Sequence, residues 1–343
     1  MAMKDLKAVS EELTFIVSDP KGWELGFVRD VDSIDLDLGD TNDFELQIDA
    51  SIWSPERYSW RNRIYIPGTE YGGLLEEQQT STKDNRITWR GYTWRGLLSQ
   101  KLIYPPEGQT HLTVSGDANT IIQDILGDRF GSLFCAETKE SGIQIKNFQF
   151  DRYCSILSGL EKMLAAKNAR LQIIYQQGNP GEYGGQVVIG AVPVTDWSEE
   201  LECSQDGKMH FTTKDSRMGI NHLVCAGEGE GIDRKILHLY VQKDGSIGQT
   251  QYYKGLDERE ALYSYTSVED DAKLLEEGTE RLRELMNYKQ MDATISDVDV
   301  EIGDIVGGRD RITGMSLQKP IVNKILRMNN GIPSVEYKLK GEE

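Results

Sequence analysis

Apolar and polar residues alternate along the first hundred residues of the chain. Between residues 34 and 38 an isoleucine and two leucines alternate with aspartates, and between 44 and 48 three apolar side chains alternate with glutamate and glutamine. A period of two is typical of strands that bury one face and expose the other. The run at 39–43 between them predicts a turn. Further strands are predicted at 13–17, 63–66, 74–80 and 86–92.

Two similar tetrapeptides mark the end of this β region. Trp89 and Trp94 lie five residues apart, which would place them on opposite faces of one strand. We therefore expect the strand to end near Gly91 and a helical turn to carry Leu97 and Leu98. Short strands at this close spacing predict a small barrel or sandwich.

The pattern changes to a helical period between residues 115 and 196. Apolar residues recur at helical spacing from 118 to 126, with Asp117 as the expected N-cap and Gly127 as the stop. A second helix is predicted at 156–164, followed by strands at 171–175 and 186–192 that are joined by a long glycine-containing loop. This segment has the size and composition of a compact α+β domain.

Strands return after residue 207 and are interrupted by one helix. A capping-box pattern at 267–270 begins that helix, and Val268, Ala272, Leu275, Leu282 and Met286 are expected to share its buried face. An alternating strand at 297–302, a turn at 303–308 and a closing hairpin at 320–328 and 334–339 complete the chain.

The predicted fold class is α+β and mainly β. Two small β-barrel domains would flank an α+β domain. Their expected limits are 1–105 for the first barrel, 106–205 for the α+β domain and 206–343 for the second barrel, which carries the helix at about 267–288.

A glycine–glutamate run at 227–234 invites a nucleotide-binding interpretation, but its chemistry disagrees. Glu228 and Glu230 stand between the glycines and would place carboxylates beside a phosphate. No Lys-Ser/Thr pair follows, and residues 235–241 read as another strand instead of a helix. We expect a glycine-rich bend between two strands.

Composition narrows the possible partners. The 343 residues carry 38 Lys and Arg against 56 Asp and Glu, a formal charge of −18. Specific nucleic-acid binding depends on basic patches, so it is not expected. The sequence has no apolar run of about 18 residues, so it does not predict a membrane-spanning helix. A polar N-terminus without a signal segment predicts folding in a cytoplasm, where the four scattered cysteines would stay reduced.

Candidate chemistry is sparse. A zinc site could draw on Cys203, His210, His222 and Cys225, but only the last two have metal-ligand spacing, and strand alternation would separate them. Five aspartates between 30 and 40 suggest calcium, yet their register does not fit an EF-hand-type loop. Paired carboxylates are weak evidence in so acidic a chain, and no G-x-S-x-G elbow accompanies the four histidines. We assign no catalytic residue, cofactor or metal.

Three groups of short motifs carry a resemblance to a known family. The first comprises residues 43–48 and 91–98. The second comprises 219–224, the run at 227–234 and the segment at 255–260. The third comprises 301–306, Val322, Ile325 and 335–337. With these motifs the whole chain resembles the tail hub, or baseplate-centre, proteins of long-tailed bacteriophages and prophages, and siphophage tail structural proteins most of all.

The resemblance implies a structural, non-enzymatic homotrimer whose two barrels per subunit form a pseudo-sixfold ring in the virion. Such a hub joins the tail tube or distal tail protein and the tape-measure protein to tail-tip or receptor-binding proteins. Many relatives continue into a peptidase or carbohydrate-binding region, whereas this chain stops at Glu343, so we expect no lytic activity. The residues assigned to subunit interfaces or to the fold signature are Gly227, Glu228, Gly229, Glu230, Gly231, Arg234, Arg259, Gly303 and Asp304.

Two other functions stay open. The chain could be a tail-tip enzyme that degrades the cell wall, with carboxylates in the α+β segment. It could also be a host-glycan-binding module that stacks sugars on Trp53, Trp60, Trp89 and Trp94. Barrel core and subunit contacts explain those tryptophans more simply.

Overall fold

A computed structural model describes the chain in ten segments. These are residues 13–28, 31–198, 202–203, 210–214, 218–265, 270–286, 290–295, 300–309, 316–329 and 332–339. The described residues form two compact units. The first runs to His210 and resumes at Ala293–Leu339, and the second is Phe211–Asp292. The three predicted domains are a different division, and their limits stay a prediction. No helix in these segments is long and apolar enough to cross a bilayer.

The first hundred described residues are mostly strands. They are β1 (Ile16–Ser18), β2 (Glu24–Phe27), β3 (Val31–Leu38), β4 (Asp43–Asp49), β5 (Arg63–Tyr65), β6 (Gly72–Leu74), β7 (Glu77–Ser81) and β8 (Arg86–Tyr92), with a 3₁₀ turn at Ala50–Ile52. Helix α1 (Trp94–Ser99) follows β8 as predicted, and Thr93 caps it. Both tryptophans of the repeated tetrapeptide, Trp89 and Trp94, are buried.

One predicted strand is divided between two sheets. The stretch 74–80 was expected to be continuous, but β6 ends at Leu74 and β7 begins at Glu77. The Leu75 amide donates to the Asn62 carbonyl beside the small sheet β2-β1-β5-β6, whereas the Glu76 amide donates to the Arg90 carbonyl on β8. The chain changes sheets between these two residues, so their backbone groups are satisfied by different partners.

The middle segment is α+β, as predicted. Its elements are β9 (Thr113–Asp117), α2 (Ala118–Leu126), β10 (Phe134–Ala136), β11 (Gln144–Gln149), α3 (Ile156–Ala165), β12 (Ala169–Gln176), β13 (Gln186–Pro193) and β14 (Glu202–Cys203). Asp117 is the N-cap of α2 and Gly127 its C-cap, so both expected boundaries are confirmed. Strand β13 lies between β10 and β12.

The core of this segment extends into the preceding strands. Tyr175 on β12 stacks on Tyr65 of β5 with ring centroids 3.7 Å apart, and its centroid lies 5.5 Å from that of Trp94 on α1. All three side chains are buried and belong to one hydrophobic cluster. Burial of such large aromatic groups stabilises the joint between the first strands and the α+β segment.

The remaining elements run to the end of the described chain. They are β15 (His210–Lys214), β16 (His222–Ala226), β17 (Ile236–Val241), β18 (Ile247–Gly248), β19 (Glu260–Ser264), α4 (Asp271–Met286), β20 (Gln290–Ile295), β21 (Ile305–Arg309), β22 (Ser316–Asn329) and β23 (Ile332–Leu339). The predicted closing hairpin is β22–β23. The predicted turn at 303–308 is wrong in its second half, because β21 pairs there with β22. The expected strand at 297–302 is not found in its described part, because residues 300–302 form no strand, and its other residues lie outside the described segments.

Strands from both ends of the chain form one sheet in the first unit. Its order is β20-β23-β22-β3-β4-β8-β7, and β22 pairs antiparallel with β3 so that Leu326 faces Leu36. The alternation on β3 and β4 is confirmed, because Leu36 and Ile48 are fully buried while Asp35 and Asp43 are exposed. Within the described residues the strand pairings form open sheets and no closed barrel, and the two barrels stay a prediction.

The second unit packs α4 against the sheet β18-β17-β16-β19. Leu274, Gly278 and Leu282 form the buried side of the helix. The predicted face included Ala272 and Leu275, which are both exposed, so the prediction is wrong at these two positions and right at Leu282. A Cβ on Gly278 would lie 2.5 Å from the Cys225 sulfur, and only glycine therefore allows this helix–sheet approach. The capping box at 267–270 and Val268 lie largely outside the described residues.

A buried arginine ties α1 to two other parts of the first unit. Arg95 Nε and Nη2 donate to the two carboxylate oxygens of Glu70 at 2.7 and 3.1 Å, and Nη1 donates to Glu161 on α3 at 2.8 Å. The guanidinium is almost fully buried, so removal of its charge would leave Glu70 without a counterion in the interior.

Replacement of this arginine should be costly. We expect Arg95→Met to lower the free energy of unfolding by about 3–5 kcal/mol, because a buried carboxylate loses its partner. The control is Arg90→Met. Arg90 pairs with Glu45 and Glu77 at the surface, so its loss should cost about 1 kcal/mol or less. Urea unfolding followed by circular dichroism measures both, and equal losses would contradict the assignment.

A second prediction concerns the cap of α2. Burial by itself would raise the pKa of Asp117, but hydrogen bonds from Ser141, Asn119 and Gly142 outweigh it and lower that pKa. A carboxyl whose pKa is lower in the folded state stabilises the fold above its unfolded pKa of about 3.9. That contribution is lost as the pH falls through the folded value.

The stability difference between the wild type and Asp117→Asn should therefore be largest near neutral pH and shrink below about pH 4. Asp124→Asn, on the exposed side of the same helix, is the matched control and should cost little stability near neutral pH. Thermal melts at several pH values measure both variants. A difference that stays constant down to about pH 2 would refute the role of the ionised cap.

Candidate functional site

The glycine–glutamate run connects β16 to β17 as a hairpin. The Gly227 amide donates to the Lys235 carbonyl at 2.9 Å, and the Lys235 amide donates to the Glu228 carbonyl at 2.9 Å. A 3₁₀ turn at Gly231–Asp233 forms the tip. The predicted bend between two strands is confirmed, and no helix N-terminus follows it that could hold a phosphate.

Two glycines in this hairpin have a left-handed backbone, but their surroundings differ. Gly229 has φ +106°, and a Cβ there would lie 2.7 Å from the Asp233 carbonyl oxygen. Gly231 has φ +57°, and a Cβ added there would meet no other atom within 4 Å. Residues other than glycine rarely adopt such backbone angles, so both positions favour glycine. Of the two, only Gly229 is also crowded by neighbouring atoms.

Arg234 fastens the base of the hairpin. Its Nε donates to the Gly227 carbonyl at 3.1 Å, and Nη2 donates to the Ala226 carbonyl at 3.3 Å and to the Ser264 hydroxyl on β19. Glu228 and Glu230 are exposed. This guanidinium therefore holds three strands in place, and a role of the two glutamates at a subunit interface stays a prediction.

The segment at 255–260 is held to the start of β16 by backbone bonds. A 3₁₀ turn at Gly255–Asp257 begins it. The Arg259 amide donates to Asn221 Oδ1 at 2.8 Å, and the Arg259 carbonyl accepts from the amides of Asn221 and His222 at 3.1 Å. These bonds set the register of the parallel pair β16–β19, in which His222 faces Glu260.

Gly303 and Asp304, from the third group of motifs, lie in the first unit, and the Asp304 carboxylate bonds to other residues of that unit. Asp304 accepts from Arg170 Nε at 2.7 Å and Nη2 at 3.3 Å, and from the Thr195 amide at 3.0 Å. The carboxylate is buried, and the neighbouring Gly303 turns with φ +96° against the Arg170 side chain. This contact joins the segment before β21 to β12, which favours a fold-signature role for Asp304.

Of the four candidate zinc ligands, the structure describes the side chains of His222 and Cys225, and these two do not share a site. Cys225 lies in the core against α4, and burial raises the pKa of its thiol to about 11. His222 lies elsewhere on β16, and the side chains of Cys203 and His210 lie outside the described set. Cys154 is free, and burial followed by the charge of Asp151 raises the pKa of its thiol, which disfavours a nucleophilic role.

The aspartates at 30–40 are engaged by other groups of the chain. Asp32 pairs with Arg86 at 3.0 Å, and Asp35 pairs with Arg327 at 3.1 Å. Asp37 accepts from amides of the 39–43 turn and from Asn323. Asp30 lies outside the described residues. Arginine side chains, turn amides and the Asn323 amide thus engage the carboxylates of Asp32, Asp35 and Asp37.

The tryptophans divide into two classes. Trp89 and Trp94 are part of the core and cannot stack on a sugar. Trp53 and Trp60 are partly exposed, and the Arg61 guanidinium lies 4.7 Å from the centroid of the Trp60 ring. Of these four tryptophans, Trp53 and Trp60 are the two that could contact a ligand or a neighbouring subunit.

Comparison with known proteins identifies the fold. No protein-family model and no curated sequence matches the chain. The 43 kDa tail protein of prophage MuSo2 from Shewanella oneidensis matches with a TM-score of 0.52 and 12% identity, over 95% of this chain and 97% of that one. Prophage tail protein gp18 from Listeria monocytogenes matches with a TM-score of 0.48 and 12% identity, over 96% and 95% of the two chains. A tail protein from Neisseria meningitidis matches with a TM-score of 0.49 and 12% identity, over 96% and 97%.

The chain therefore has the fold of the MuSo2 tail protein along nearly its whole length. The resemblance to phage tail proteins that the short motifs suggested is confirmed at the level of fold. At such low identity the shared architecture is a statement about topology, and function has to be argued from the chain itself.

The two hairpin glycines offer a matched test. We expect Gly231→Ala to cost about 1 kcal/mol of unfolding free energy, from the left-handed backbone alone. Gly229→Ala should cost more than this, because its Cβ would also collide with the carbonyl of Asp233. Urea denaturation measures both variants. Equal losses would show that the hairpin base is not as tightly closed as the contacts indicate.

Proposed function

We propose that this chain is a structural protein of a phage-type tail, and that it forms a trimeric hub between the tail tube and the tail tip. The observation that carries the proposal is the near full-length fold match to the MuSo2 tail protein. The resemblance of short sequence motifs to phage tail hub proteins is independent of the fold match, and it supports the same proposal.

The proposed ring uses two barrel-like domains per subunit, with an α+β domain between them. Three subunits would then present six similar domains to a sixfold tail tube. On its opposite side the ring would have threefold symmetry and match a threefold tail tip. Ring closure needs head-to-tail contacts between unlike surfaces, and such contacts require exposed apolar groups.

The two signature segments of the second unit supply such groups. Ile232 at the tip of the glycine–glutamate hairpin and Leu256 in the 255–260 segment are almost fully exposed. Leu262 on β19, at one end of the sheet, is also largely exposed. Isolated apolar residues are common on surfaces, and Leu256 and Ile232 lie beyond opposite ends of the β16–β19 pair. The proposed docking face therefore runs along this pair from Leu256 to Ile232, with Leu262 between them.

The charge of the chain suits this role. A formal charge of −18 repels phosphate backbones, so an acidic lumen would let DNA pass without holding it. The partners we propose are a second and third copy of the chain, the tail tube or distal tail protein, the tape-measure protein, and tail-tip or receptor-binding proteins. The proposed location is the virion.

A host-glycan-binding role is the second candidate, and the exposed Trp60 supports it. Aromatic rings at a surface can stack on sugars. A glycan screen with saturable binding that is lost in Trp60→Ala would favour this role over a purely structural one. For the cell-wall enzyme, two prominent carboxylates of the α+β segment are already engaged: Asp117 caps α2 and Glu161 binds Arg95.

The assembly state tests the leading proposal. We expect the purified chain to have a native mass three times its 38.7 kDa. Ile232→Asp and Leu256→Asp would place a charge in an apolar contact and should raise the dissociation constant at least tenfold, or about 1.4 kcal/mol. Multi-angle light scattering over a dilution series measures this.

The control is Gln109→Asp, which adds the same charge to an exposed loop and should leave the mass unchanged. A wild-type chain that stays monomeric at high concentration would contradict the trimer. If the trimer forms and both apolar variants keep it intact, the ring uses other surfaces and the docking face is refuted.

A further inference from the structure

Two histidines and two glutamates converge on one side of the second unit. His222 Nδ1 lies 2.8 Å from Glu258 Oε1 and 2.9 Å from Glu260 Oε1. One carboxylate oxygen from each glutamate and this ring nitrogen all lie within 4.8 Å of one another. Two carboxylates thus face a single imidazole nitrogen. One N–H group at that position cannot compensate the negative charge of both carboxylates.

The backbone holds these residues in place. The Arg259 carbonyl, between the two glutamates, accepts from the amide of His222. Parallel pairing of β16 and β19 sets His222 opposite Glu260. The strand register therefore positions His222 and Glu260, and Glu258 directly follows the 3₁₀ turn at Gly255–Asp257. Ligands held by regular elements favour a preformed site.

The other nitrogen of the imidazole has its own partner. His222 Nε2 lies 2.8 Å from His238 Nδ1 on β17, and the His222 ring stacks on Tyr240 with centroids 4.3 Å apart. His222 is buried, so the ring is held on both sides. Donation from Nε2–H to His238 Nδ1 leaves a lone pair on His222 Nδ1, and that lone pair can bind a cation that the two carboxylates also contact.

The glutamates are supported as well. Gln251 Nε2 donates to Glu258 Oε1 at 2.6 Å. Metal-binding histidines and carboxylates are usually oriented by such outer hydrogen bonds. Glu258 is partly buried, whereas Glu260 is largely exposed and leaves a side open to solvent.

We propose that His222, Glu258 and Glu260 bind a divalent first-row transition cation such as Zn²⁺, with His238 and Gln251 as positioning residues. An imidazole nitrogen with carboxylate oxygens suits such cations better than Mg²⁺ or Ca²⁺, which prefer oxygen alone. The zinc candidate from sequence included the same histidine together with Cys225, which faces the core, whereas the two carboxylates come from residues 36 and 38 positions later.

The distances need little adjustment for a metal. Two ligand atoms about 2.1 Å from one ion lie about 3.0 Å apart at a right angle and about 3.4 Å apart in a tetrahedron. The two nitrogen–oxygen separations, 2.8 and 2.9 Å, are slightly below this range. A small rotation of the exposed Glu260 side chain would open the site, and water would complete the coordination.

Calorimetric titration of the full chain tests the site. The protein is stripped with EDTA, freed of chelator and titrated with ZnCl₂ or MgCl₂ in a non-coordinating buffer. We expect one Zn²⁺ per chain, weaker binding of Mg²⁺, and a higher melting temperature with Zn²⁺ present. Glu258→Gln and Glu260→Gln should each lower the Zn²⁺ affinity at least tenfold, and His238→Gln should lower it about tenfold through the ring it orients.

The matched control is Glu230→Gln, an exposed glutamate of the same unit, which should bind Zn²⁺ like the wild type. Glu260 is exposed, so its variant should fold, and circular dichroism checks this. Absence of saturable Zn²⁺ binding would overturn the proposal. Unchanged binding in both glutamate variants, or equal affinity for Mg²⁺, would overturn it too. None of these outcomes depends on whether the chain forms a trimer.

Discussion

The antiparallel pairing of β3 with β22 is the constraint on which the first unit depends. It joins residues about 290 positions apart, as the Arg327–Asp35 ion pair across it records. Closing so long a loop is entropically unfavourable, and the pairing must be supported by burial on both strands. Leu36 and Leu326 are fully buried opposite each other, and Lys324 on β22 reaches Glu301 at 3.1 Å from an interior position. Without this pairing, the N-terminal strands and the C-terminal hairpin would each leave a long strand edge open to other chains.

Buried charges recur at the joints of the first unit. Arg95 connects α1 to Glu70 and Glu161, and Arg170 connects β12 to Asp304. Such pairs add little net stability compared with apolar packing, but an unpaired partner is costly. Any arrangement that separates the two segments joined by one of these pairs would therefore have a higher free energy, because it leaves a buried charge without its partner. A tail component that must keep its shape in an assembly would benefit from that kind of selectivity, which is how these pairs relate to the proposed role.

Prediction from the sequence succeeded where the signal was local. Alternation located β3 and β4, and the Asp117 and Gly127 boundaries of α2 follow from the chemistry of caps and left-handed stops. It failed where a distant segment decided the outcome. Leu75 and Glu76 are adjacent but bond to different sheets, Gly307 is part of β21 because it pairs with Gln318 on β22, and α4 turns Leu274 inward instead of Leu275. The same limit explains the metal candidates, since no spacing rule links His222 to glutamates nearly forty residues later.

The sequence by itself determined the mainly β composition with an α+β middle, the limits of elements such as β8 and α2, and the glycine bend at 227–234. These depend on side-chain periodicity and backbone angles, which act over a few residues. Only the tertiary structure decided that strands from both ends of the chain share a sheet, that Arg234 fastens the base of a hairpin, and that His222 meets Glu258 and Glu260. Those outcomes depend on contacts between residues remote in sequence, and a single chain carries no local signal for which of many possible partners its packing will select.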